Sequence, residues 1–167
     1  MNMKHWKRIA IALILLVISL ISIPAYLGYR QYQDAITKIS LQEKVENIKS
    51  EDDYVAYEDI SPYLIDATIA VEDHRFYHHN GFDVLATARA LVNNLIGNGM
   101  KAGGSTITQQ LAKNLYFAYE PSFIRKIAEL YVVYDLEHRY TKEEILALYL
   151  NIINYGDNHI GIREASI

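Results

Sequence analysis

Between Ile9 and Tyr29 the chain carries no charged residue, and from Ile11 onward the run reads IALILLVISLISIPAYLGY. As a helix this stretch would be roughly 31 Å long at about 1.5 Å per residue, close to the thickness of a bilayer's hydrocarbon layer. A secretory signal would have a shorter apolar stretch followed by a small-residue cleavage site. Here Ala25 leads into Tyr-Leu-Gly-Tyr with no Ala-x-Ala pattern, which favours an uncleaved anchor. Lys4, Lys7 and Arg8 precede the run, so the excess of positive charge predicts a cytoplasmic N-terminus and a body outside the membrane. Trp6 and the Tyr26, Tyr29 and Tyr32 group stand where interfacial aromatic residues belong.

The formal net charge is -4 even with that basic start, so the rest of the chain is more acidic still. An acidic body offers no basic face to nucleic acid, and nucleic acid is excluded as a partner. The chain has no cysteine, which removes disulfides, thiolate metal sites and thiol nucleophiles together. At 167 residues there is room for one domain and an anchor.

The expected organisation is a tail over 1–8, the anchor over 9–29, a polar stalk or linker over 30–57, and a folded domain over 58–167. In that domain Ser61-Pro62 is a cap followed by proline at the first helical position, opening a helix through Ile65, Ile69 and Ala70. Thr141 and Glu144 have capping-box spacing and open a second helix, Ile145 to Ile153. Helical patterning also covers 84–96, 105–117 and 122–139. No segment alternates with period two for long enough to require a sheet, so the fold is predicted to be mostly α.

Four segments carry chemistry. Glu72-Asp73-His74-Arg75-Phe76-Tyr77-His78-His79-Asn80-Gly81 combines carboxylates, an aromatic and histidines ahead of a glycine, as at a helix end entering a functional loop. The plain alternative is a helix stop at Asn80-Gly81 with histidines near the negative end of the dipole. His74 and His78, four apart, could hold zinc only with a third ligand that the sequence does not supply. The second segment, Gly103 to Asn114, feeds two glycines into a helix with Ser105 as its expected cap. Ile107, Leu111 and Leu115 share one face of it, and Thr106, Gln110 and Lys113 form a polar stripe on another. Backbone N–H groups at its start could receive an anionic oxygen. The Gly-Lys-Ser/Thr ending of a P-loop is missing. In the third, Arg125-Lys126-Ile127-Ala128-Glu129, a surface ion pair between Arg125 and Glu129 is the default explanation. The fourth, Lys142 to Asn151, reads by itself as a core helix.

Taken in order, the four segments resemble the glycosyltransferases that polymerise peptidoglycan from a lipid-linked disaccharide: the monofunctional glycosyltransferases and the N-terminal domains of class A penicillin-binding proteins. The family's first motif, Glu-Asp-x-x-Phe-x-x-His-x-Gly, matches Glu72, Asp73, Phe76, His79 and Gly81. Its second, Gly-Gly-Ser-Thr-x-Thr-Gln-Gln-x-x-Lys-Asn, matches Gly103 to Asn114 throughout. Its third, Arg-Lys-x-x-Glu, falls on Arg125, Lys126 and Glu129, and its fourth, Ile-Leu-x-x-Tyr-Leu-Asn, on Ile145 to Asn151. The resemblance implies a lysozyme-like helical domain with a membrane-proximal jaw, for which Leu91–Met100 and the aromatics around Tyr116–Tyr119 are the candidates. It also implies Glu72 as general base and Glu129 as a supporting carboxylate. Lys113, Arg125 and Lys126 would bind diphosphate, with Asp73, Phe76, His79, Thr106, Gln110 and Asn114 as further substrate-binding positions. The expected partners are lipid II, the nascent glycan strand, the membrane and other cell-wall synthesis proteins. A divalent cation, Mg or Mn, is compatible with this chemistry and not required by the sequence.

A diphosphate leaves readily once its charge is met, so cations replace the acid that ordinary glycosidases need. What remains is a base for the acceptor's 4-hydroxyl. A lysozyme-like hydrolase would use Glu72 as an acid instead, but a neutral glycan has no use for the basic residues of the second and third segments. A penicillin-sensitive transpeptidase is excluded by the lack of Ser-x-x-Lys. The chain ends at Ile167, just after Gly161 to Ser166, which resembles the start of a fifth motif. Ala147 stands where the family commonly has glutamate, and Asp157 to Ile160 departs from the usual Gly-rich stretch. A membrane-tethered, inactive fragment or pseudoenzyme is therefore the alternative expectation.

Overall fold

The computed structural model describes residues 3–97, 103–117, 122–157 and 159–166, with side chains from Trp6 onward. Among the described residues eight α-helices succeed one another: α1 (Met3–Lys38), α2 (Leu41–Lys49), α3 (Pro62–Glu72), α4 (Val84–Ile96), α5 (Ile107–Tyr116), α6 (Phe123–Arg139), α7 (Lys142–Ile152) and α8 (Ile162–Ala165). Short 3-10 turns lie at Tyr57–Asp59 and Phe76–His78. The one β-type pairing among the described residues is an isolated antiparallel bridge between Asn154 and Ile160. The mostly α class expected from the patterning is the one observed.

The core is organised around α7. Ile145 to Leu150 are six consecutive residues, none more than 3% exposed. A helix apolar on every side has to be surrounded. α5 and α6 pack against it, as do α2, α8 and the turn at Tyr57. Each Leu or Ile buried there contributes on the order of 1.5–3 kcal/mol. The start of α7 is fixed as its sequence predicts: the Glu144 N–H donates to the Thr141 hydroxyl (3.2 Å), and the Thr141 N–H donates to the Glu144 carboxylate (3.0 Å). Asn151 closes the other end by donating to the Val55 carbonyl and accepting from the Val55 N–H, both at 2.8 Å.

Three local expectations are corrected. The supposed stalk is folded: α1 continues to Lys38, α2 follows, and Tyr32, Leu41 and Val45 join the main core. A sparse set of apolar residues sufficed because α1 packs against α6 and α2 against α7. The cap of α5 is Thr106, one residue later than Ser105, and it forms a full capping box with Gln109. Ser61 does precede α3, but its side chain makes no capping bond. Of the jaw candidates, Tyr116 is half-buried and donates its hydroxyl to the Ile39 carbonyl, while Phe117 is buried. Leu91, Val92, Leu95 and Ile96 on α4 are exposed. Residues 98–100 and 118–121 lie outside the described residues.

Gly81 and Gly97 both adopt left-handed backbone, with φ of 78° and 74°. A Cβ on Gly81 would lie 2.3 Å from Val133 Cγ1 and 2.9 Å from Glu137 Cγ, whereas one on Gly97 would meet nothing within 4 Å. Gly97→Ala should therefore cost only the backbone penalty of about 1–2 kcal/mol. Gly81→Ala should add an overpacking cost of about 1–3 kcal/mol. Thermal melts followed by circular dichroism should show the larger drop for Gly81→Ala; equal drops would mean that the contact with α6 is not limiting.

Candidate active site

Glu72 is the last residue of α3, and its side chain reaches α5, where Gln110 Nε2 donates to its Oε2 at 2.8 Å. Gln110 is itself oriented from α7, because the Tyr149 hydroxyl donates to its Oε1 at 3.2 Å. That bond fixes which end of the amide faces Glu72. Burial, and after it the negative charge of Glu72, raises the Tyr149 phenol above its ordinary pKa, so the hydroxyl stays a donor. Sequence reasoning missed Tyr149 as a site residue because it lies in a segment that reads as core. Its one available signal was a phenol among aliphatic residues, since a buried tyrosine hydroxyl needs a partner.

Two cavities meet at Glu72. One, of about 140 Å³, lies between the end of α3, α4 and the Gly103–Thr106 loop, with Arg89 and Ser105 on its wall. The other, of about 530 Å³, lies between α3, α5 and α7 and is lined by Gln110, Lys113, Asn114, Tyr149 and Tyr155. The first is narrow because Gly104 passes close to α4, where a Cβ would come within 2.9 Å of Ala90 Cβ. Arg89 and Tyr155 were not among the expected site residues, since neither falls in a motif.

Asp73, Phe76 and His79 turn inward. Phe76 is fully buried, with the Lys142 ammonium 4.4 Å from its ring centre. His79 Nε2 lies 3.0 Å from both Asp73 carboxylate oxygens, and Asp73 Oδ2 accepts the Ile107 N–H at 3.2 Å. The anion at the start of α5 is thus the chain's own Asp73. Thr106 is also committed, donating to the Gly81 carbonyl at 2.7 Å and accepting from the Gln109 N–H. Phe76 and His79 pack behind the loop, whereas Asp73 and Thr106, besides these bonds, line the smaller cavity. Of the expected polar stripe, Gln110 and Lys113 remain at the larger cavity, with Asn114 beside them.

The Arg125–Glu129 pair is not the surface pair expected. Glu129 is 0% exposed, bonded to Arg125 on one oxygen and 2.9 Å from the Lys126 ammonium on the other. Lys126 also donates to the Ser105 hydroxyl at 3.2 Å, which links the cluster to the wall of the smaller cavity. Glu129 is therefore the buried counter-ion of both cations.

Among the described residues, one group of three side chains could share a metal ion: Asp73, His79 and Asp83. His74 and His78 form no such group. The three are already engaged. Asp83 caps α4 through the N–H groups of Leu85 and Ala86 and lies 3.2 Å from the Arg75 guanidinium. The Ala86 N–H foremost, with help from Arg75, holds its carboxyl below the ordinary range. A divalent ion such as Mg or Mn would face the Arg75 charge at close range, so this group does not suit one.

The described residues thus form a helical domain that sets a carboxylate between two cavities, with Arg89 on the wall of one and Lys113 on the wall of the other. The Transglycosylase family model matches residues 40–167, and the chain belongs to that family. It is 39% identical over 163 residues to a monofunctional glycosyltransferase of Staphylococcus haemolyticus, covering 98% of this chain and 58% of the relative. It is 44% identical over 131 residues to one from Staphylococcus epidermidis (77% and 48% covered), and 38% identical over 141 residues to one from Staphylococcus aureus (84% and 51%). The chain spans about half the length of these relatives.

Removing Glu129 leaves two cations without their buried counter-ion. Glu129→Ala should cost about 3–5 kcal/mol in denaturant unfolding, while Lys126→Ala, with its partly exposed ammonium, should cost less than about 1 kcal/mol. A small effect at Glu129 would mean that the cluster is not the buried ion network described.

Proposed function

We propose that the chain is a peptidoglycan glycosyltransferase that joins lipid II into glycan strands with inversion at the anomeric carbon, Glu72 serving as general base. The observation that carries this reading is the place of Glu72: held by Gln110, which Tyr149 orients, on the border of two cavities, each with a basic side chain on its wall. A transferase needs room for two sugars, one on each side of the reacting bond.

In the proposed step Glu72 takes the proton of the acceptor's 4-hydroxyl. That oxygen forms a bond to the anomeric carbon from the face opposite the diphosphate. The bond from the anomeric carbon to the diphosphate oxygen breaks, and the polyprenyl diphosphate departs with the electron pair. Lys113, and Arg125 and Lys126 from α6, offset the developing charge. Asn114 contributes a neutral donor in the larger cavity. Glu129 supports the reaction by keeping Arg125 and Lys126 in place. A hydrolase acting on neutral glycan would gain nothing from these cations.

The substrate's lipid never leaves the bilayer, so the site must work at the membrane surface. α1 is the one described helix long and apolar enough to cross a membrane, and none of its apolar window is buried. We assign its basic start to the cytoplasm and the domain to the outer side. The exposed apolar face of α4 (Leu91, Val92, Leu95, Ile96) would enter the lipid beside it. Lipid-proximity labelling should mark α4, and an unmarked α4 would remove this part of the reading.

The decisive experiment is polymerisation of labelled lipid II by the detergent-solubilised chain. Glycan ladders are expected, and Glu72→Gln should reduce them by about 10²–10⁴-fold, the usual worth of a general base. Ladders of equal intensity from the mutant would assign the proton transfer elsewhere.

A further inference from the structure

The anchor is docked on the domain. A Cβ on Gly28 would come within 2.5 Å of Ile127 Cγ2 and 3.3 Å of the Ala128 N, so only glycine permits this approach of α1 to α6. Beyond it the Tyr131 ring packs edge-on to Tyr29 and stacks on Tyr32, both with centroids at 5.5 Å. The Tyr32 hydroxyl donates to Asp135. Rising residue numbers on α1 meet rising numbers on α6, so the two helices run side by side in the same direction. At about 1.5 Å per residue, Arg125 and Lys126 lie level with Tyr26 and Leu27, in the last turn of the uncharged run. Ile127 and Ala128, the residues that Gly28 touches, sit between those cations and Glu129 in sequence.

We propose that Gly28 is a positioning residue: its close contact with α6 makes α1 a rigid strut that holds the Arg125–Lys126–Glu129 cluster at the depth of the lipid headgroups. The inference rests on the reading that this cluster meets a membrane-bound diphosphate. It goes beyond that reading in making the anchor part of the active site's geometry and more than a tether. Freeing α1 from α6 would leave the cluster's own geometry intact and shift it relative to the headgroup layer, and a misplacement of about an ångström between reacting groups costs up to about 10²-fold in rate.

The test compares wild type with Gly28→Leu and the milder Gly28→Ala on two substrates. One is full-length lipid II in vesicles, and the other is a short-prenyl, water-soluble lipid II analogue in detergent. The strut predicts a loss of at least about tenfold on vesicles for Gly28→Leu, a smaller loss for Gly28→Ala, and rates within about twofold of wild type on the soluble analogue. Equal losses on both substrates would reduce Gly28 to a folding role, and no loss on either would overturn the proposal. A second readout needs no turnover. Because the chain has no cysteine, spin labels can be placed uniquely at Leu16→Cys and His138→Cys. Along the shared direction these lie about 35 Å apart at about 1.5 Å per residue. A narrow distance distribution that broadens or shifts in Gly28→Leu is expected, and a broad one in wild type would sink the strut. If wild type turned over neither substrate, the proposed function would fail, and the distances alone would still decide the strut.

Discussion

The carboxylate of Asp73 ties together three parts of the chain that would otherwise be independent. It engages His79 on the loop that follows and accepts the Ile107 N–H in the first turn of α5, while the backbone N–H of the same residue closes α3 on the Ile69 carbonyl. The residue before it is Glu72, and Gln110, the partner of Glu72, lies one turn into α5. The distance between Glu72 and Gln110 is therefore set by a buried hydrogen bond at the adjacent position. Burying a carboxylate is costly unless its oxygens are filled. Here a helix N-terminus and an imidazole fill them, both of which favour negative charge. The anion-binding character of the glycine-led helix is spent inside the protein, as a hinge pin for the site.

The same logic governs the second charged cluster. Glu129 has no exposure, and by itself it would be among the least favourable groups in the molecule. With Arg125 and Lys126 beside it the group is tolerated, and the cations gain a fixed location in return. Arg125 is mostly covered and Lys126 is partly open, so the pair presents its charge in one direction. A solvent-exposed pair on a helix would offer a few tenths of a kilocalorie and no such direction.

The helix framework was legible where local chemistry decides it. The Thr141–Glu144 box, Pro62 at a first turn, and the apolar face Ile107–Leu111–Leu115 appear as their residues suggest. At α5, Ser105 and Thr106 are equivalent as caps, and the choice falls to Gln109, which reaches back to Thr106. The segment 30–57 departs from a stalk for a different reason. Its apolar residues are too few to make a core of their own, and they are buried only by helices that come a hundred positions later. The motifs located the site but could not separate its layers. Phe76 and His79 are as characteristic as Glu72, yet they build the loop from behind, and nothing local in the sequence says which way a side chain turns. Tyr149 shows the converse, a polar contact to the site hidden in an apolar run.

Folding of the supposed stalk changes what the anchor can do. A flexible linker of that length would let its ends wander by roughly 30 Å, at about 5–6 Å times the square root of the residue number. An active site tethered that way would spend most of its time away from a substrate confined to the headgroup layer. Here α1 passes from its apolar run into the domain without leaving the helix, and the tyrosines at the junction pack on α6. The cost of ordering is met once, when the chain folds, and is not repeated at each encounter with the lipid. Under the proposed reading, donor and acceptor both stay at the membrane, and a docked anchor would bring the cations of α6 to each encounter at one fixed height.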